Sequence, residues 1–592
     1  MHSSNKTGKE IVAIIILLFV SVIYIKAQKW EPYESWFTHN SDYLLQQVVA
    51  LEHPNHFEND FIYNDSKYIT WNPQGMIYFT RLIYRITEDP FTAVKYLAFV
   101  MCFLFAMGYY LLFREITNNL FWGLFLSLLL VIFYDQYWGN GFGMPYMGNF
   151  WARVFFKVFL GWLIFIFMRT IDKPGYWPLF GLFLGLIGAL VHPKPTLAWA
   201  GAFCVTFIII SLRKRRTEKG KLTFPKLEHP LPLLLMIGGI MVPILIWAVF
   251  GARVLDKPDY VTQEIVNTIQ TDRSGLTWYI WQIFPMILNY VIDGKRYAGT
   301  LLLFGLALYG IYTYFKKGRS NPKLRALFIC GLVFFSIIII IPSFEFIVVQ
   351  FTDHIPQLSP LSVNLSALRL WLLMAGAPGI VYWCQTRTSV SISLKFKNHR
   401  LTPTIEERAK TFLICFLLLI GSFNIDWNSS YGWITPSIKN GVQKIAFHYN
   451  LSSALNNSVI RKLQSKNHDD LYFREALNAA KKTPTGSLFY CYDAMNYVRV
   501  GALRPVVFSI DDKQKCVVSK KTYDKYLIAK KNEEYLKNNK PESMPFEKAL
   551  GVYIKLGAEY VFDKRQWPKP GKDKKYDIFY QNRDWTIIKL LD

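Results

Sequence analysis

Long runs of uncharged apolar residues constrain this chain more than any other feature. IVAIIILLFVSVIYIKA near the N-terminus and PLFGLFLGLIGALV further on are two of them. An α-helix needs about 20 such residues, at ~1.5 Å each, to cross a hydrocarbon core of ~30 Å. Several stretches qualify, so the sequence reads as a polytopic α-helical membrane protein. A soluble chain of 592 residues does not combine 52% hydrophobic and 17% aromatic residues with only 18% charged ones. The first run looks like the apolar core of a signal peptide. It is long and lacks a small-residue cleavage site, so it is read as a retained span.

Eleven spans are expected, at about 11–26, 92–113, 119–137, 153–169, 176–192, 195–212, 231–251, 299–315, 325–342, 367–386 and 410–424. With the N-terminus inside, the inner loops contain Arg114, Arg169 to Lys173, RKRRTEKGK (213–221), KKGRSNPKLR (316–325) and KFKNHRLTPTIEERAK (395–410). That is a positive-inside pattern. The apolar segment LTWYIWQIFPMILNYVIDGKR (276–296) would break it if it crossed, and is read as an outer-surface helix. The outer face then holds the loop 28–91, GNGFGMPYMGN (139–149), the HPKP turn (192–195) and everything after 425. Two domains follow: a transmembrane domain over 1–424 and an extracytoplasmic α/β domain over 425–592. In the second, strands are expected at 486–493, 504–511, 558–563 and 585–591, with a helix over KKTYDKYLIAKKNEEYLKNN. The setting is a plasma (inner) membrane.

The net charge of +25 invites a nucleic-acid reading. The basic residues lie instead in short loops between spans or scattered over the tail, with no aromatic platform along a basic groove, so no nucleic acid is expected. The seven cysteines have no metal-ligand spacing. Five fall in apolar runs; Cys491 and Cys516 lie in the tail, either as a disulfide or as two thiols.

The loop 28–91 is too long for a connector. SDYLLQQVVALEH has helical spacing, with Leu44, Val48 and Leu51 on one face. WNPQGMIYFTRLIYRI has it too, with Met76, Phe79, Leu82, Ile83 and Ile86 apolar and Arg81 and Arg85 polar. Both read as helices lying along the membrane surface. Asp42 opens the first, after His39, Asn40 and Ser41. It is a candidate general base, or an acid favoured near a helix N-terminus on dipole grounds. Asp60, in FENDFIYND, sits among Phe57, Phe61 and Ile62, as a second catalytic candidate or a loop-capping acid. Glu58 and Asp65 read as solvated. His192 and Lys194 form a His–Pro–Lys–Pro turn at the outer boundary, offering a cationic pair or interfacial snorkelling. Arg153 and Lys157 lie one turn apart in FWARVFFKVFL, and Arg369 in SALRLWLL. Charges inside apolar segments are costly, and guanidinium matches phosphate in a bidentate fork. Pairing with an outer-loop acid is the alternative. Acids, a histidine and cations all map to the outer mouth of one bundle, which suits transfer chemistry on a lipid-linked phosphate.

On these residues the chain resembles the GT-C superfamily of integral membrane glycosyltransferases, which includes protein mannosyltransferases, oligosaccharyltransferases and the aminoarabinose transferase of lipid A. The closer likeness is to bacterial members with a loop like SDYLLQQVVALEHPNHFENDFIY. They also have an H-P turn like His192–Pro193, an Arg opening a span like Arg153, and a tail with phrases like LGAEYVFDK and DWTIIKLL. The resemblance implies a catalytic acid in the first outer loop, Asp42 first and Asp60 second. It also implies a polyprenyl-phosphate sugar as donor, its phosphate held by Arg369, Arg153, His192 or Lys194. The adjacent paired acids of many members are missing around Asp42, and so is the WWD-type motif of oligosaccharyltransferases, whose activity is not inferred.

The expectation is an inverting glycosyltransferase that moves a sugar to an envelope glycan, lipid or protein on the outer face. A transporter or flippase of a lipid-linked or anionic solute, or a catalytically silent assembly protein, are the alternatives. Internal repeats, common in transporters, are absent. No ligand cluster identifies a metal, although a divalent ion beside Asp42 is compatible with the reading.

Overall fold

The computed structural model describes residues 2–27, 41–64, 74–132, 152–213, 226–251, 294–318, 321–351, 367–385, 394–396, 399–401, 407–423, 471–491, 497–507, 527–528, 531–532, 534–571 and 574–591. It is mostly helical, with a small sheet near the C-terminus. The main helices are α1 (His2–Ala27), α2 (Ser41–Glu52), α3 (Gln74–Thr87), α4 (Pro90–Thr117), α5 (Leu120–Ile132), α6 (Ala152–Thr170) and α7 (Trp177–Leu190). They continue with α8 (Pro193–Ser211), α9 (Pro230–Ile246), α10 (Gly294–Thr313), α11 (Pro322–Phe351), α12 (Ala367–Gln385) and α13 (Glu407–Phe423). A helix thus occupies every interval read as a span. Among the described residues, Pro90–Thr117 and Pro230–Val249 are long and apolar enough to cross a membrane by length and composition, and three further apolar helices are shorter. The outward sides of these helices are apolar: Leu231, Leu234, Leu235, Leu245 and Ile246 on α9, and Phe412 and Phe416 on α13, are all exposed. An apolar surface of this extent belongs in lipid, not in water.

Local chemistry sets where the helices begin. Asp89 stands extended before α4 and accepts from Thr92 N at 2.8 Å, with Pro90 in the first helical position. Asn118, in the left-handed region at φ 50°, ends the same helix. Proline also opens α8, α9 and α11.

Two helix pairs are built on close backbone contact. A Cβ at Gly310 of α10 would lie 1.9 Å from the Ala375 carbonyl oxygen of α12, and Gly379 packs its own position against Gly310. A Cβ at Gly181 of α7 would lie 2.2 Å from the Met236 carbonyl oxygen of α9, and one at Gly185 2.4 Å from that of Gly239. Small residues at such seams let helices approach until their backbones touch. In both pairs the contacts advance together along the chains, so the partners run parallel.

The bundle has two distinct ends. At one, Glu10 of α1 pairs with Arg114 and accepts from Tyr110 Oη at 2.5 Å. Glu115 of α4 there pairs with Arg169 of α6 at 2.7 Å and with Lys323 of α11. The start of α1, the ends of α4 and α6 and the start of α11 therefore meet, and Arg114, Arg169 and Lys323, all read from the sequence as inner residues, are gathered together. At the other end a Cβ at Gly75 of α3 would touch Leu190 of α7, and one at Gly501 would approach Leu477 and Phe91 of α4. The first loop and the C-terminal domain sit here.

The C-terminal domain holds a four-stranded sheet, β1 (Phe489–Cys491), β2 (Tyr560–Asp563), β3 (Tyr576–Gln581) and β4 (Thr586–Leu590), in the order β1-β2-β4-β3. β1 and β2 are parallel, and the other two pairings are antiparallel. Phe473, Tyr497, Phe562 and Trp585 form an aromatic core over it. The expected strands at 486–493, 558–563 and 585–591 correspond to β1, β2 and β4. The one expected at 504–511 is reduced, in its described part, to a bridge between Val506 and Phe489. β3 went unread, because YDIFYQ follows a Lys- and Pro-rich stretch and alternates only weakly. Cys491 is a free, buried thiol, and Cys516 lies outside the described residues. So do 276–293 of the expected outer-surface helix.

Candidate functional site

The first loop does not lie on the bundle as two separate surface helices. All residues from Leu44 to Ala50 in α2 are buried, Gln46 and Gln47 included. α2 is enclosed between α3, α4 and the turn Val498–Ala502 of the C-terminal domain. The single apolar face expected from Leu44, Val48 and Leu51 was too narrow a reading: Leu45 and Val49 are buried too, and Gln46 is held by Arg499, more than 400 residues away in sequence. α3 fits its expectation better. Met76, Ile77, Thr80 and Tyr84 face inward, while Tyr78, Leu82 and Ile86, one turn apart, form an exposed apolar edge. Arg81 and Arg85 reach back to Glu52 at the end of α2. Burial works against the Glu52 charge, and the Arg85 and Arg81 guanidiniums more than offset it, holding the carboxyl below its usual range.

Asp60 is the centre of this assembly. Its carboxylate is fully buried and accepts five hydrogen bonds. Oδ1 accepts from Ile62 N at 2.9 Å, Tyr63 N at 3.0 Å and Arg499 Nη2 at 3.1 Å. Oδ2 accepts from Arg499 Nε at 2.8 Å and Val506 N at 3.0 Å. Arg499, equally buried, also donates to Gln46 Oε1 at 3.0 Å and lies 5.2 Å from the Tyr63 ring. Around this pair, Asn59 donates to Gly486 O at 3.1 Å and His56 Nδ1 lies 3.3 Å from Leu503 O. Asp60, expected as a second catalytic candidate or a loop-capping acid, has every lone pair engaged and no exposure, and it clamps the first loop to the C-terminal domain. Arg499 escaped the sequence reading, although YVRVGA, one charge inside an apolar run of the tail, was a visible signal for a buried partner.

A histidine pair flanks the clamp. His53 Nε2 lies 2.9 Å from Tyr84 Oη, and the rings of His53 and His56 are 5.4 Å apart. Burial, then His56 and Lys481, push the His53 pKa down, and Glu52 opposes them. The folded state therefore favours neutral His53. Its contribution to stability is full above the ordinary value of 6.5 and is lost as pH falls below it, toward the lowered value. Between pH 7.5 and 5.5 the thermal midpoint of the wild type should fall more than that of His53→Gln, measured by unfolding in the same micelle. Parallel curves would remove His53 from the account.

The structure brings the remaining candidates to the same end of the bundle by backbone position. Asp42 is the second residue of α2, Arg153 of α6 and Lys194 of α8; Arg369 is the third of α12. His192 stands immediately before α8, half-buried, in extended backbone. α6 runs parallel to α4: Gly161 packs on Gly108 and Tyr109, and Arg169 pairs with Glu115 two turns further along both helices. Arg153 thus opens α6 at the end where α4 begins. Trp371 of α12 stacks on Trp199 of α8 with centroids 5.9 Å apart, which levels Arg369 with the start of α8. Lys157 is buried one turn below Arg153. The side chains of Asp42, Arg153, Lys194 and Arg369 lie outside the described part of the structure, as does Asp65. Among the described residues no group of three His, Cys, Asp or Glu side chains is placed to hold a metal ion.

Neither a protein-family model nor a curated protein matches the sequence. Solved structures of the Archaeoglobus fulgidus oligosaccharyltransferase are similar at a low level. The form tethered to an acceptor peptide containing the NVT sequon is 12% identical with a TM-score of 0.43, covering 94% of this chain and 69% of that one. AglB from the same organism, in complex with an inhibitory peptide and a dolichol-phosphate, is 12% identical with a TM-score of 0.39, over 94% of this chain and 69% of that one. The complex with Zn and sulfate is 11% identical with a TM-score of 0.38, over 93% and 67%. Similarity of this size assigns neither a fold nor an activity to this chain.

Proposed function

We propose that the protein is an integral membrane glycosyltransferase of the GT-C type. It takes a sugar from a polyprenyl-phosphate donor and passes it to an envelope glycan, lipid or protein. The eleven helices over the expected spans cross the plasma membrane with the basic end in the cytoplasm, by the positive-inside rule. The first loop and the C-terminal domain then lie outside. One observation carries the reading beyond the sequence resemblance: the helix starts bearing Asp42, Arg153, Lys194 and Arg369 share the end of the bundle that the first loop and C-terminal domain cover together. A base and several cations at one end of a membrane bundle are the parts that glycosyl transfer from a lipid phosphate needs.

In the reaction, the acceptor hydroxyl oxygen attacks the anomeric carbon of the donor while its proton passes to the Asp42 carboxylate. The bond from that carbon to the phosphate oxygen breaks, and the polyprenyl phosphate leaves with the electron pair. Arg369 and Arg153, with His192 and Lys194 beside them, neutralise the departing phosphate. Attack opposite the leaving group inverts the anomeric centre. Asp60 acts through position alone, by fixing the loop that carries Asp42.

Binding of radiolabelled polyprenyl-phosphate sugars to purified protein in lipid nanodiscs tests the donor assignment. Arg369→Ala should weaken binding about ten- to hundredfold, the worth of a charge-assisted hydrogen bond of about 1.5–3 kcal/mol. No binding by the wild type across a panel of sugars would overturn the reading and favour a transporter or an assembly protein.

A further inference from the structure

A groove of about 310 Å³ runs between α10, α12 and α13, at some distance from the proposed site. Leu302, Leu306, Ile380, Trp383, Leu413 and Leu417 are among the residues that line it. Its residues lie in the middle and later part of α10, the later part of α12 and the middle of α13, nearer the basic end than the end covered by the first loop. Leu413 and Leu417 leave its α13 wall exposed to the surrounding lipid. Gly379, which packs on Gly310 and Tyr309, forms part of its floor, and α13 closes it from the side.

The groove ends among cations and phenols. Leu302, Leu306 and Tyr309 mark one stripe of α10, with Tyr312 one turn on, and Lys316 lies in the wider turn Tyr314–Gly318 that follows. Exposed Lys316 Nζ donates to Tyr312 Oη at 3.1 Å and lies 5.5 Å from that ring. On α13, Lys410 Nζ lies 5.6 Å from the Trp383 ring, which is itself a groove wall. An apolar slot with an exposed ammonium group and a tyrosine hydroxyl near its end matches an amphiphile with acyl chains and an anionic head.

We propose that this groove is a binding site for an anionic glycerophospholipid of the leaflet at the basic end. One acyl chain lies along Leu302, Leu306 and Leu417, and the phosphate meets Lys316 and Tyr312. Position and charge select this occupant over the polyprenyl donor, which the transfer chemistry places at the opposite end. A lipid site here needs only that the protein is embedded in lipid; the exclusion of the polyprenyl donor rests on the glycosyltransferase reading.

Native mass spectrometry of the full-length protein, equilibrated with phosphatidylglycerol and phosphatidylethanolamine of equal chain length, tests it. Phosphatidylglycerol should be retained preferentially. Lys316→Gln should reduce that preference about fivefold, the equivalent of about 1 kcal/mol for one cation at a membrane surface. Leu417→Trp, which fills the groove from its exposed wall, should remove the retained lipid, with Leu413→Trp as a second filling variant. Leu234→Trp, on the exposed side of α9, should leave retention unchanged. Equal retention of the two lipids, retention unaffected by both filling variants, or displacement of phosphatidylglycerol by polyprenyl phosphate would each overturn the proposal.

Discussion

Arg499→Met should lower the unfolding midpoint of the protein more than any other single substitution in its C-terminal domain. The variant leaves the Asp60 carboxylate fully buried, with its three backbone donors but without its counter-charge. Removing one partner of a buried ion pair costs about 3–5 kcal/mol, because the remaining charge has neither water nor an opposite charge. Gln46 loses its donor as well. Asp60→Asn should cost a comparable amount, since Arg499 then carries the unpaired charge. The two losses should not add, because either substitution already breaks the same network. Thermal unfolding in micelles, with hydrogen exchange at Ile62, Tyr63 and Val506, reads both effects. Unchanged midpoints and protected amides in both variants would contradict the clamp.

Gly310→Leu should abolish recovery of monodisperse protein, and Gly181→Leu should do nearly the same. The obstacle at each position is a carbonyl oxygen of the neighbouring helix, 1.9 Å and 2.2 Å from the added Cβ. A side chain can rotate away; a helix backbone has to move as a body. Overpacking of ordinary side chains costs about 1–3 kcal/mol, and separation of two helices exceeds it. The same helices supply controls. Gly305 of α10 and Gly238 of α9 have nothing within 4 Å of an added Cβ. Gly305→Ala and Gly238→Ala should be neutral or slightly stabilising, since glycine in a helix costs about 1 kcal/mol relative to alanine. Size-exclusion profiles after detergent extraction separate the two groups. Equal profiles for Gly310→Leu and Gly305→Leu would refute the seam.

How much of this was legible in the sequence depends on the range of the interaction. The intervals of the apolar helices were readable because length and hydropathy are local, and so was α3, whose Arg81 and Arg85 mark one side of an otherwise apolar helix. The pairing of Arg114, Arg169 and Lys323 around Glu10 and Glu115 was foreshadowed only as a common sidedness of basic loops. The clamp was not legible. Asp60 lies among Phe57, Phe61 and Ile62, which signals a carboxylate out of water but not the reason it is there. Its partner is 439 residues away, and only the fold brings them together. The same distance explains α2: a helix covered by a remote domain presents two buried faces, and periodicity over thirteen residues shows one. Asp42, Arg153, Lys194 and Arg369 drew attention as charges at the edges of apolar runs, and the helix starts they occupy share one end of the bundle.

Turnover of a radiolabelled polyprenyl-phosphate sugar by the wild type and Asp42→Asn, in lipid nanodiscs with matched donor binding, tests the central claim most directly. The account predicts transfer by the wild type and a loss of about 100- to 10,000-fold in Asp42→Asn, the range for removal of a general base, with donor binding retained. Asp60→Asn, by contrast, should lose activity in step with its folded fraction. Undiminished transfer by Asp42→Asn, or an Asp60→Asn variant that folds and binds donor normally yet transfers nothing, would contradict the assignment of the two acids.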